Sequence, residues 1–175
     1  MNNFALIEKL EDFSFEKVQY YSIRFEEKEV NEFLDFLNRM EDIPEIETDL
    51  NNLLVWIEII GENYGAIRDR FFRHEAKNGE ASALPPPARQ METLAIVIEE
   101  NLRLYCMVAN EHVVFLFNGG IKTAKYADDC PNVKQYFNQA NTLANRIDRL
   151  FYDEFIQWKE NYSDILFESG LKIEL

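Results

Sequence analysis

The apolar positions of this 175-residue chain follow two different periods. Tyr21, Ile23 and Phe25 alternate with Ser22 and Arg24, and β-branched and aromatic residues dominate from Phe15 to Phe25, which predicts a first strand. After Lys28 the period changes. Val30, Phe33, Leu34, Leu37 and Met40 recur at i, i+3, i+4 and i+7, the mark of an amphipathic helix. Pro44 opens a second helix, whose stripe of Ile46, Leu50, Leu53, Ile57, Ile60 and Tyr64 runs to a glycine cap at Gly65. The short connection between the two predicts an antiparallel helical hairpin. Residues 1–12 read as a short helical turn or a frayed lead.

Lys77-Asn78-Gly79 and Pro85-Pro86-Pro87 interrupt any regular helix, so residues 75–92 read as a long loop, ordered or mobile, of the kind that borders sites. Three strands are expected next, Leu94–Ile98, Leu102–Val108 and Val113–Phe117. Their polar connections are too short for a crossover, which predicts an antiparallel meander ended by Asn118-Gly119-Gly120. Pro131 opens a long helix striped from Val133 to Trp158, with Asp128 and Asp129 placed to cap its positive end, so that the helix crosses the sheet and extends past it. Ser163 caps a last short helix that stops at Gly170. The order predicts an α+β fold: a small twisted antiparallel sheet with an N-terminal helical hairpin and a long C-terminal helix. Residues 1–175 read as a single domain, with its core at about 15–150 and a helical extension over 151–175.

Charge narrows the function. Eighteen Lys and Arg against 32 Asp and Glu give a net charge of -14, which argues against broad binding to nucleic acid or anionic membrane and leaves room for a local basic pocket. Residues 1–70 carry 7 basic and 17 acidic side chains, residues 71–125 carry 6 of each, and residues 126–175 carry 5 and 9, so an anion site is expected in the neutral middle. The lead has no basic stretch before its apolar residues, and the longest apolar runs, Leu94–Ile98 and Val113–Phe117, fall far short of a bilayer span, so neither a secretory signal nor a membrane segment is expected. Cys106 and Cys130 form no disulfide framework, which suits a reduced, cytoplasmic setting. His74 and His112 are the only histidines, so no zinc site is expected, and no cofactor loop is present.

From Leu102 onward an ordered set of features is similar to the RelE/HigB/ParE-like toxin superfamily. An arginine-bearing strand, Leu102-Arg103-Leu104-Tyr105, is followed by its hydrophobic partner Val113-Val114-Phe115-Leu116-Phe117. Then come the turn Gly120-Ile121-Lys122-Thr123, Pro131, and a helix with Ala140 and Ala144. The resemblance covers about a quarter of the chain by motif and residues 15–150 by element order. It implies a RelE-like fold and a toxin of a toxin–antitoxin system that cleaves messenger RNA, often on the ribosome, without a metal, and that an antitoxin protein neutralises. Such chemistry needs cations to stabilise a doubly charged phosphorane and an acid to protonate the leaving oxygen.

Strand alternation points Arg103, Tyr105 and Met107 one way and the apolar Leu102, Leu104, Cys106 and Val108 the other. Arg103 and Tyr105 are therefore expected together on an open sheet face, about 7 Å apart. Lys122 occupies the family's turn-lysine position, and Lys125 and Tyr126 extend a cationic rim. Arg73 and Lys77, in the basic cluster that also holds Arg68, Arg70 and His74, are candidate RNA contacts. His74 is a candidate acid or base, its ordinary pKa being about 6.5. The plainer reading makes Arg103 an exposed strand arginine paired with the acidic helices, Lys122 a solvated loop lysine and His74 a structural histidine. The family's usual toxins are small and basic, and this chain is longer and acidic. The competing reading is therefore a non-catalytic interaction module on the same fold. Its acidic helical hairpin or its apolar tail (Phe155, Trp158, Ile165, Leu166, Phe167) would then bind a partner or a second copy, as a homodimer through the C-terminal helix, unless the tail folds back onto the core.

Overall fold

A computed structural model describes residues 3–74, 81–126 and 129–175. The chain opens not with a helical turn but with an eleven-residue strand, β1 (Phe4–Ser14), antiparallel to β2 (Gln19–Phe25) through the register Ala5↔Phe25 to Lys9↔Tyr21. Two strands thus precede helix α1 (Glu32–Glu41), which starts where Asn31 accepts a 2.8 Å hydrogen bond from the Leu34 N–H. A 3₁₀ turn at Pro44–Ile46 leads into α2 (Glu47–Ile59), and a π-helical turn over Ile60–Tyr64 ends at Gly65, whose φ of +84° suits glycine. A single turn, α3 (Arg68–Phe71), and the two-residue strand β3 (Arg73–His74) follow.

The loop expected over 75–92 contains two elements among its described residues, β4 (Ser82–Leu84) and α4 (Ala88–Leu94). The stretch Leu94–Ile98 is therefore not a strand. Ala95 turns into the left-handed region at φ 55° and stops α4. The next backbone groups are then satisfied by α2 side chains. Asn52 donates to the Val97 carbonyl at 3.0 Å, the Trp56 indole to that of Ile96 at 2.9 Å, and the Asp49 carboxylate accepts from the Glu99 and Glu100 N–H groups, each at 3.0 Å. The meander is instead β4, β5 (Leu102–Asn110) and β6 (Val113–Ile121), antiparallel throughout.

Asn118-Gly119-Gly120 continues β6 rather than ending it. A bulge between Leu104 and Cys106 absorbs the extra residue, and a Cβ on Gly119 would lie 1.9 Å from the Arg103 carbonyl oxygen, so only glycine fits. The long helix α5 begins at Lys134, after a turn at Pro131, and ends at Tyr152. Glu154, at φ 64°, reverses the chain, and Phe155 donates its N–H to Leu150. The tail carries no α-helix, only a 3₁₀ turn at Glu160–Tyr162. It forms a small antiparallel pair, β7 (Gln157–Trp158) with β8 (Ile165–Leu166), and returns as β9 (Lys172–Glu174) alongside β1.

The strands form one seven-stranded sheet in the order β3-β4-β5-β6-β2-β1-β9. It is mixed rather than small and antiparallel, since β2 runs parallel to β6. On one face Phe33, Phe36, Leu53, Trp56, Phe71 and Met91 pack on Leu102, Leu104 and Leu116. On the other, Phe137, Leu143 and Ile147 of α5, with the tail residues Ile156, Ile165 and Ile173, pack on Tyr21, Tyr105, Phe115 and Phe117. Both faces of the sheet are therefore covered. No helix among the described residues is long and apolar enough to cross a membrane.

Candidate functional site

Cross-strand register brings three of the expected residues onto one face. Arg73 sits opposite Ala83, which sits opposite Tyr105, and directly opposed residues share a face. Arg73 and Tyr105 are thus two strand spacings apart, about 10 Å, and Arg103 lies about 7 Å from Tyr105 along β5. Lys122 follows the end of β6, where its N–H donates to the Asn101 carbonyl at 2.7 Å, so it belongs to the same end of the sheet as Arg103.

The face they share is not open. The first half of α5 lies over it, and the Phe137 ring is 5.4 Å from that of Tyr105. Tyr105 is 0% and Arg103 7% exposed. The alternation in β5 is as expected; the correction is that the Arg103 side faces a second apolar core instead of solvent. The guanidinium groups also turn toward backbone. Arg73 Nε donates to the carbonyls of Pro85 (2.9 Å) and Pro86 (3.2 Å), and its Nη2 to Pro86 at 3.0 Å. Arg103 Nη1 donates to its neighbour Leu102 at 3.0 Å.

The remaining candidates lie elsewhere. His74 is paired with Ser82, one residue on from Arg73 along β3, so it projects from the opposite face; its Nε2 is 3.6 Å from the exposed Asp69 carboxylate. Lys125 and Tyr126 are exposed on the loop after β6, with the ammonium 5.3 Å from the ring centre. Lys77 and Asp128 lie outside the described residues. Among the described residues no group of three or more His, Cys, Asp or Glu side chains is placed to hold a metal ion.

Three features were not singled out from sequence. Cys130, enclosed just before α5, accepts from the Thr123 N–H at 3.0 Å and lies 3.3 Å from its hydroxyl. Burial alone would raise this thiol, but the Thr123 hydrogen bonds and the backbone N–H groups of Asn132 and Ala124 outweigh it and bring its pKa to about 7. Cys106, by contrast, is pushed far up by burial.

The second feature is a buried polar network behind β6. Asn118 donates to Glu32 (2.9 Å) and Asp35 (2.8 Å) and accepts from Arg39, whose guanidinium lies 4.4 Å from the Tyr136 ring. The third is a cleft of about 280 Å³ walled by Arg146, Arg149, Leu150 and Phe155 on one side and residues 171–174 on the other. Only its pair of arginines, three apart on the exposed face of α5, left a trace in the sequence.

No family model matches the chain, and neither a curated protein nor a solved structure matches it.

Proposed function

We propose that the chain is a non-catalytic protein-interaction module built on a RelE-like scaffold. The observation that carries this reading is the cover over the sheet face that would have to receive RNA. Transphosphorylation needs cations and an acid in direct contact with the reacting phosphate. Tyr105 is fully buried, Arg103 is nearly so, Arg73 donates to the Pro85 and Pro86 carbonyls, and Arg103 Nη1 donates to that of Leu102. The exterior supports the same reading. Tyr152, Phe155 and Tyr162 are 79%, 60% and 64% exposed around the end of α5 and the tail, and exposed aromatics of this kind serve as interface anchors. A protein partner, whether an antitoxin-like chain or another, suits a surface with net charge -14 better than RNA does.

A second reading, a toxin-like metal-independent messenger RNA endoribonuclease, is favoured by one observation: Arg73, Tyr105 and Arg103 share a face, with Lys122 at its end. It requires α5 to move away. One experiment separates the two. The wild type and the Arg103→Ala/Lys122→Ala variant are induced in a bacterial host at equal soluble levels, and growth and transcript integrity are followed. Normal growth and intact transcripts in both are expected. Arrest by the wild type and relief by the variant would overturn the interaction-module reading.

A further inference from the structure

We propose, building on the interaction-module reading, that the cleft between the end of α5 and β9 docks an extended acidic peptide segment carrying a large apolar side chain. Three observations specify that partner. The first is charge. Among the described residues Arg146, Arg149 and Lys172 line this cleft against a single acid, Glu174, in a chain where acids outnumber bases 32 to 18. Arg146 has no ion-pair or hydrogen-bond partner among the described residues. Arg149 pairs with Asp153 at 3.0 Å and lies over the Tyr152 ring at 5.4 Å, and Lys172 pairs with Glu26 at 2.6 Å and lies over the Phe4 ring at 5.0 Å; the ion pairs are solvent-exposed, and an incoming carboxylate displaces them at little cost.

The second observation is the apolar lining. Leu150, Phe155, Leu171 and Ile173 line the cleft, and Phe155 is 60% exposed despite its size. A volume of about 280 Å³ lies just below the roughly 300–1,000 Å³ of small-molecule sites, which suits one large side chain rather than a cofactor.

The third is the edge. β9 is the outermost strand of the sheet and pairs with β1 on one side only among the described residues. An extended segment can add alongside such an edge through main-chain hydrogen bonds while placing alternate side chains in a pocket. Strand addition supplies the backbone contacts, the cleft takes the apolar residue, and the arginines take the flanking carboxylates.

The test is selection of a displayed random-peptide library on the full-length protein, followed by fluorescence anisotropy of enriched peptides on the wild type and on Arg146→Glu/Arg149→Glu. Both substituted residues are exposed, so the fold is kept, and circular dichroism verifies it. Enriched sequences with acids flanking a large apolar residue, bound at least tenfold more weakly by the variant, are the expected result. Overturning results are no enrichment over the bare surface, enriched sequences without an excess of acids, or binding unchanged by the charge reversal. Each of these would reject the cleft as the docking site, whereas growth arrest relieved by Arg103→Ala/Lys122→Ala would reject the interaction-module reading itself.

Discussion

Asn118→Ala should be among the most damaging single substitutions in the chain. Its side chain makes four hydrogen bonds: Nδ2 donates to Glu32 Oε2 (2.9 Å) and Asp35 Oδ2 (2.8 Å), and Oδ1 accepts from Arg39 Nη2 and from the Gly119 N–H (2.8 Å). Three of the four involve charged groups. A hydrogen bond to a charge contributes about 1.5–3 kcal/mol, and a buried group left without its partner costs about as much again. The losses are unequal. Arg39 keeps Asp35 and the Gly119 carbonyl, and Asp35 keeps Arg39. Glu32, whose side chain is 0% exposed, keeps only Lys28, at 2.8 Å, among the described residues. We therefore expect a loss of about 3–5 kcal/mol, a large share of a typical total stability of about 5–15 kcal/mol.

Urea unfolding measures this loss. With a slope of about 2 kcal/mol per M, the midpoint should fall by about 1.5–2.5 M with the slope unchanged. Acid adds a second readout. Burial raises the Asp35 carboxyl, but hydrogen bonds from Asn118 and Arg39 outweigh it and hold it below its ordinary value of 3.8. A lowered folded-state pKa contributes stability that is present above the ordinary value and lost as pH falls through the folded one. Asn118→Ala should flatten that acid limb. A midpoint change below about 0.5 M, or an acid limb as steep as in the wild type, would refute the account of this network.

Three further outcomes follow from other sites. Gly119→Ala places a Cβ 1.9 Å from the Arg103 carbonyl oxygen, so it should cost about 3 kcal/mol and lower Tm by about 6–12 °C in calorimetry; an unchanged Tm would mean the bulge is not fixed. Asp164 accepts from the Tyr21 hydroxyl at 2.5 Å and from Lys9 at 3.1 Å and ties the tail to the sheet. Asp164→Ala should therefore speed amide exchange over Gln157–Leu166 while sparing α2. Burial would raise this carboxyl too, but Tyr21, the Ile165 N–H and Lys9 hold it below 3.8, so the wild-type tail should loosen only in acid below that value. Thiolate absorbance near 240 nm should rise through about pH 7 from Cys130 alone, and Thr123→Val should move that step upward; a single step near pH 9 would contradict the hydrogen-bonded setting of this thiol.

What could be read from the sequence was what short-range period decides. The helical period of α1, the first turns of α2, the alternation in β5 and the stripe Phe137, Ala140, Leu143, Ala144 and Ile147 of α5 each stand in the folded chain, although the buried face of α1 is Phe33, Phe36 and Met40 and Leu34 of the expected stripe is 40% exposed. What was misread depends on distant partners. β1 carries apolar residues at Phe4, Leu6 and Leu10 as well as at Ala5 and Ile7, so its period is blurred; β2 and β9, one on each side, select the strand. Leu94–Ile98 has strand-like composition, yet Asn52 and Trp56 of α2 take its Val97 and Ile96 carbonyls, and Asp49 takes the N–H groups of Glu99 and Glu100 that follow. Asn118-Gly119-Gly120 has turn composition, yet its asparagine serves a carboxylate network and Gly119 a bulge. The site divides in the same way. That Arg103 and Tyr105 share a face follows from strand period, but what covers that face depends on where α5 docks, which no local pattern encodes.

The docking energy of α5 then bears directly on function. Exposing the Arg103–Tyr105 face means lifting α5, which buries Phe137, Leu143 and Ile147 at 2%, 0% and 0% exposure. At about 2 kcal/mol for each large side chain, these three alone hold the helix down by about 6 kcal/mol. At 1.4 kcal/mol per factor of ten, the lifted state is populated at about one molecule in 10⁴, and any RNA that binds only that state loses the same factor in affinity. The tail adds to this, because Ile156 and Ile165 are 1% and 3% exposed in the same core and Asp164 pins them to Tyr21. A nuclease that had to expose this face in every cycle would spend most of its binding energy on opening. A partner that docks on the outside, at the end of α5 and along β9, meets no such cost, and that difference is the physical argument for reading this fold as a binding surface.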